Sequence, residues 1–173
     1  SLDEDGTLTI KGEGAVTRDP WQGETIKKLV IEEGITDLGS TTFQNCTELV
    51  SIQWPSTIKK IPSSCFAGCR SLKTIDIPAG VESIDDWAFQ GCSSLLKAVI
   101  PSTVTYISRY DVFSDCAKNF YILGYKGSEA EKYANENSIR FVDAANPVIP
   151  IEICDITLEQ CAVEYDGTAK TPK

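Results

Sequence analysis

A chain of 173 residues, 42% hydrophobic and 24% charged, has the composition of a folded globular protein, enough for one sizeable domain or an elongated array. A formal net charge of −9 excludes sequence-independent binding of nucleic acid, for which no basic stripe exists, and disfavours docking on anionic lipid. Seven cysteines without a single histidine exclude a Ser-His-Asp triad and deprive any thiol nucleophile of its usual activating base.

No apolar run approaches membrane-spanning length, so no membrane insertion is expected within this sequence. The basic doublets, Lys27 with Lys28 and Lys59 with Lys60, read as solvated strand positions. The pattern is already running at Ser1 and still running at Lys173, as in a piece of a longer protein. The absence of a signal peptide therefore says nothing about location.

Residues 1–25 come first. Leu8 and Ile10 alternate behind a turn at Asp5 and Gly6, which predicts a capping β element, with Pro20 and Trp21 covering the first coil of the array. The opening DEDG resembles half a calcium loop, but Gly12 stands where the glutamate should be, so the turn is the better reading.

From residue 26 a repeat takes over. Phe43, Phe66, Phe89 and Phe113 are spaced by 23, 23 and 24 residues, and three positions after each stands a cysteine: Cys46, Cys69, Cys92 and Cys116. Leu49, Leu72 and Leu95 follow, then the pairs Ile52/Trp54, Ile75/Ile77 and Ala98/Ile100, each closed by Pro55, Pro78 or Pro101. Ile58, Val81 and Val104 precede the column Ile61, Ile84 and Ile107. A degenerate earlier copy runs through Ile26, Leu29, Ile31, Ile35 and Leu38, and the extra residue of the last copy falls between Ile107 and Phe113.

Apolar residues two apart describe a short strand with one face inward, and proline stops it because it has no N–H for the ladder. Asn45, Gly68, Gly91 and Asp115, ahead of the cysteines, tolerate positive φ and so mark a sharp turn. No 23-residue unit can bury its apolar face alone, but stacked units can. The expectation is a β-rich solenoid of about four coils, with phenylalanines as an internal spine and cysteines as a ladder of small residues beside it.

The pattern FAGCRSLKTIDIPAGVESI resembles the BspA-like (Treponema-type) leucine-rich repeats of bacterial surface proteins over roughly residues 26–123. Departures are Trp54 for an aliphatic, Ala98 for isoleucine or leucine, and Asn119 or Phe120 where the last leucine belongs. The resemblance implies a right-handed leucine-rich-repeat solenoid and a non-enzymatic module, at the cell surface or secreted, for adhesion or protein–protein interaction. Its alternative is a structural spacer, or a carbohydrate-binding accessory region of a larger surface protein.

After the repeats, Ser128 with Glu131 forms a capping box, Ala130, Tyr133 and Ala134 give an apolar face and Asn137 supplies the stop. A helix over about 128–137 and a returning strand over 139–142 are predicted to close the solenoid, which would then occupy residues 26–143. Residues 144–150 read as a linker. Residues 151–173 look like the truncated start of an immunoglobulin-like module, with Cys154 and Cys161 either disulfide-bonded or free.

The segment CFAGC, residues 65–69, invites a chemical reading that the repeat dissolves. Cys69 belongs to the cysteine ladder, whereas Cys65 shares a column with Thr42, Ala88 and Val112. Both thiols are expected to be buried, reduced and without metal, since zinc sites want close Cys-x2-Cys pairs or histidines. Asp85 with Asp86 and Glu32 with Glu33 are nominal glycosidase pairs, but adjacent carboxylates point apart and a regular solenoid offers no deep cleft. Asn45-Cys46-Thr47 matches a glycosylation acceptor but sits in the tight-turn column. No catalytic residue and no cofactor is expected.

What remains is the outward strand face: Lys28 and Val30, Ser51 and Gln53, Thr74 and Asp76, Lys97 and Val99. It carries no aromatic platform for sugars. The expected partner is accordingly a protein on a host or neighbouring cell, with a glycan as the second choice.

Overall fold

A computed structural model describes residues 1–16, 21 and 24–147. Pro20, the last part of the expected linker, the expected immunoglobulin-like segment 151–173, and Cys154 and Cys161 lie outside the described residues. In chain order the strands are β1 (Thr7–Ile10), β2 (Gly14–Val16), β3 (Lys28–Ile31), β4 (Ile35–Leu38), β5 (Ser51–Gln53) and β6 (Lys60–Ile61). There follow β7 (Thr74–Asp76), β8 (Ser83–Ile84), β9 (Lys97–Val99), β10 (Tyr106–Ile107), β11 (Tyr121–Gly124), helix α1 (Glu129–Glu136) and β12 (Arg140–Asp143).

All strand pairs are parallel, and each strand pairs with its counterpart one coil away, so the chain winds as a β-solenoid. One face carries the runs β1-β3-β5 and β7-β9-β11-β12; a second carries β2-β4 and β6-β8-β10. The third side has no strands but its own ladder: Thr41, Phe43 and Asn45 donate backbone N–H groups to the carbonyls of Ser63, Cys65 and Ala67. The same three steps recur one and two coils later.

The phenylalanine spine is present. Phe43, Phe66, Phe89 and Phe113 are buried and stack at centroid distances of 5.3, 5.7 and 5.4 Å, within 14° of parallel. Trp21 extends the stack at one end, 5.5 Å from Phe43, and Phe120 at the other, 5.0 Å from Phe113. The turn column has the predicted positive φ at Asn45 (60°), Gly68 (76°), Gly91 (70°) and Asp115 (56°).

The expectation of about four coils is corrected to about six. The segment read as an N-terminal cap is built as one more coil, with β1 in register on β3 (Leu8 opposite Leu29) and β2 on β4. At the other end β11 and β12 continue the sheet beyond β9. Neither end carries the full set of Phe, Cys and Pro columns, yet inward apolar residues at spacing two suffice to pair and bury a strand.

The ladder has a joint. Among the described residues β5 and β7 do not pair on the first face, nor do β4 and β6 on the second, so the coil that carries β5 and β6 lacks strand pairing to the following coil on one face and to the preceding coil on the other. Two residues account for this. Trp54 places an indole in the inward column that Ile31, Ile77 and Ile100 occupy elsewhere, and its Nε1 is buried without a partner. Pro62 stands where Asp85 and Ser108 donate N–H groups to Ile61 and Ile84, and it has none to give. The ring stack and the turn ladder run through unbroken.

The helix forms as predicted. Ser128 accepts from the Glu131 N–H at 3.4 Å, while Glu131 Oε2 accepts from the Gly127 N–H at 2.7 Å. Ala130, Tyr133 and Ala134 are buried, and Tyr133 meets Phe113 edge-on at 6.0 Å, closing the end of the core.

Candidate functional site

The outward positions of the first strand face form two columns set by strand register. Thr7, Lys28 and Ser51 align, as do Thr9, Val30 and Gln53. Across the joint, Thr74, Lys97 and Tyr121 align, as do Asp76, Val99 and Leu123. Lys28, Ser51, Gln53, Thr74 and Asp76 are exposed, whereas Lys97 and Val99 are half-buried. The seven predicted residues therefore share one face but divide between two sheets, three before the joint and four after it. The spacing of 23 residues put them in columns; nothing in it marked the joint.

Ladder cysteines bond to the backbone of the neighbouring coil. The thiols of Cys69 and Cys92 donate to the carbonyls of Phe43 and Phe66 one coil away, at 3.3 and 3.2 Å, and Cys116 reaches Phe89 at 3.6 Å. Cys65 and Cys69 are fully buried, and no disulfide joins the cysteines of the described residues. Burial pushes the thiol of Cys46 up to about 11 and that of Cys92 up to about 12, and raises those of Cys65, Cys69 and Cys116 as well. At neutral pH all five are protonated, the state that neither attacks nor binds metal. Among the described residues no three Cys, Asp or Glu side chains converge as a metal site.

The acidic pairs are likewise committed to the scaffold. Asp85 pairs with Lys60 at 3.3 Å and Asp86 accepts from the Ser108 hydroxyl. Glu32 meets Lys11 at 2.8 Å, and Glu33 takes both the N–H and the hydroxyl of Ser56 at 2.9 Å. Each carboxylate bridges neighbouring coils rather than facing a second carboxylate across a cleft.

A second feature escaped the sequence reading. Thr41, Ser64, Trp87 and Asp111 form another column of positive φ, at 62°, 55°, 56° and 47°. Trp87 is the only bulky member, and its ring lies 6.3 Å from that of Tyr110, whose own face carries the Arg109 guanidinium at 5.2 Å. The available signal was an aromatic residue in a column of small polar ones.

Comparison with known proteins places these features in context. The family described as "BspA type Leucine rich repeat region" matches residues 18–141 in six copies. Among solved structures, a leucine rich cell surface protein from Faecalibacterium prausnitzii is 33% identical with a TM-score of 0.66, covering 80% of this chain and 36% of its own. The T. pallidum leucine rich repeat protein TpLRR is 22% identical with a TM-score of 0.62, covering 71% of this chain and 66% of its own. The pneumococcal vaccine antigen PcpA is 17% identical with a TM-score of 0.59, covering 80% and 41%. At these lower identities the likeness is one of fold. No curated protein sequence matches the chain.

Proposed function

Since the chain belongs to the BspA-type leucine-rich repeat family, we propose that it is a bacterial cell-surface or secreted binding module without enzymatic activity, holding a protein partner on its exposed strand face. The observation that carries this reading is the face itself. Two outward columns run in register along each sheet, offering a regular, mixed-charge surface on which Lys28, Ser51, Gln53, Thr74 and Asp76 stand exposed. Lys28, Ser51, Gln53, Thr74, Asp76, Lys97 and Val99 make the contact, and residues 26–143 form the binding unit.

The chemistry of the remaining residues supports the same reading. The thiols of the described residues are neutral and buried or half-buried, and the acidic pairs are occupied by lysines, serines and backbone. The test is to pan the protein against immobilised host matrix proteins and a glycan array. Saturable protein binding, lost in Gln53→Ala and Asp76→Ala, is the expected result. Silence on both panels refutes the proposal in favour of a spacer, and binding confined to glycans moves the partner class.

A further inference from the structure

The corner where the second strand face meets the turn ladder is unlike the rest of the solenoid. Three of the six large apolar side chains that stand exposed among the described residues gather there: Trp87 (40%), Tyr106 (52%) and Tyr110 (49%). Arg109 lies over the Tyr110 ring and donates to its hydroxyl at 3.4 Å, and no carboxylate partner engages it among the described residues. The corner is held firmly. Ser108 donates to Asp86 and accepts from the Tyr110 N–H at 3.1 Å, while the Trp87 N–H donates to the Tyr110 carbonyl at 3.0 Å.

Trp87 is the informative residue. It sits at φ 56°, a backbone conformation that penalises a Cβ and most of all a bulky side chain, where other coils place Thr41, Ser64 and Asp111. The residue remains two-fifths exposed, so part of the indole is left open to a partner. A backbone outlier that presents an aromatic side chain to solvent is a starting point for a functional hypothesis.

We propose that Trp87, Tyr110 and Arg109 form a second recognition surface, distinct from the strand face, for a protein partner that lays an apolar side chain on the two rings and a backbone carbonyl or carboxylate against Arg109. Tryptophan, tyrosine and arginine are the residues that dominate protein–protein hot spots, and a surface already fixed by hydrogen bonds loses little entropy on binding. A sugar is the weaker fit. The rings lie at 39° to one another and Arg109 already covers one Tyr110 face, which leaves no flat platform.

The test uses the whole chain as bait for a random-peptide phage library, with Trp87→Ser, Arg109→Ala and the strand-face change Gln53→Ala as variants. Serine is the residue the preceding coil carries in this column, so Trp87→Ser keeps the fold and its thermal midpoint should stay level or rise. Selected peptides are expected to lose at least about tenfold in affinity on Trp87→Ser and on Arg109→Ala, and to be indifferent to Gln53→Ala. Peptides that bind Trp87→Ser as well as the parent, or no enrichment at all, overturn the proposal. So does a fall in the midpoint of Trp87→Ser, which would make Trp87 a scaffold residue. Glycan-array binding that depends on Trp87 would overturn it in favour of a sugar site. Because the strand face is probed separately by Gln53→Ala, failure of either surface can be told from failure of the other.

Discussion

Gly80→Ala separates what the sequence suggests from what the structure dictates. Gly80 lies in a turn without positive φ, so by propensity alone alanine should stabilise by about 0.4–1 kcal/mol through a less flexible unfolded chain. Its column also holds Thr57 and Thr103, so repeat consensus regards a side chain there as harmless. The structure predicts the opposite. A Cβ on Gly80 would stand 2.6 Å from the Ser56 carbonyl oxygen and 3.1 Å from that of Ile58.

Both atoms are backbone of the adjoining coil, which cannot swing aside as a side chain could. Relief requires prising apart two coils joined nearby by the Glu82 N–H to Lys59 carbonyl bond at 2.8 Å. Overpacking of this kind costs about 1–3 kcal/mol. Net of the unfolded-state gain, a loss of about 1–2 kcal/mol is expected, a fall of roughly 2–8 °C in thermal midpoint for a chain of this size. Gly91→Ala is the control: its φ is 70° but no atom comes nearer than 3.8 Å, so it should lose about 1 kcal/mol through backbone strain alone. Thermal and urea unfolding followed by circular dichroism measure both. An unchanged or raised midpoint for Gly80→Ala would show that the coils adjust freely and refute the reasoning.

Phe66→Ala removes a buried ring in contact with Phe43, Phe89 and Trp54, and should destabilise by about 3–5 kcal/mol in urea titrations; a loss below about 1.5 kcal/mol would deny the spine its role. In a background with Cys154 and Cys161 changed to serine, a thiol reagent should modify half-buried Cys46 and Cys116 first, leaving Cys65, Cys69 and Cys92 untouched until unfolding. The same thiols make the fold alkali-sensitive. Their folded-state values are raised above the ordinary value of 9.0, so their contribution is complete below pH 9 and is lost as pH climbs toward about 12 for Cys92, at about 1.4 kcal/mol per pH unit for each thiol. A midpoint that stays flat from pH 8 to 11 would contradict this. Ser128→Ala removes the cap on α1 and should cost about 1 kcal/mol, with the loss of exchange protection concentrated at residues 129–131.

Much of this was legible in one dimension because a solenoid is nearly one-dimensional. Each coil touches only its neighbours, so a residue recurring every 23 positions meets its own copies and a column in the sequence becomes a stack in space. Phe43, Phe66, Phe89 and Phe113 are the plainest case, and Asn45, Gly68, Gly91 and Asp115 marked their turn by residue type alone. The outward strand columns were placed by the same rule, and the helix by its cap and its apolar spacing.

What tertiary structure decided is what depends on the fit of one particular coil against the next. β1 shows none of the Phe, Cys or Pro columns, and only its pairing with β3 reveals it as a further coil. Trp54 was visible as a departure, but that its coil loses strand pairing to the following coil on one face and, at Pro62, to the preceding coil on the other required both ladders in view at once. Gly80 is forbidden a side chain by carbonyls 22 and 24 residues away, and Trp87 meets Tyr110 because the turn ladder sets the two on neighbouring coils. Periodicity specifies which residues stack; the distance between coils, and what fills it, is set by steric contacts that no single repeat contains.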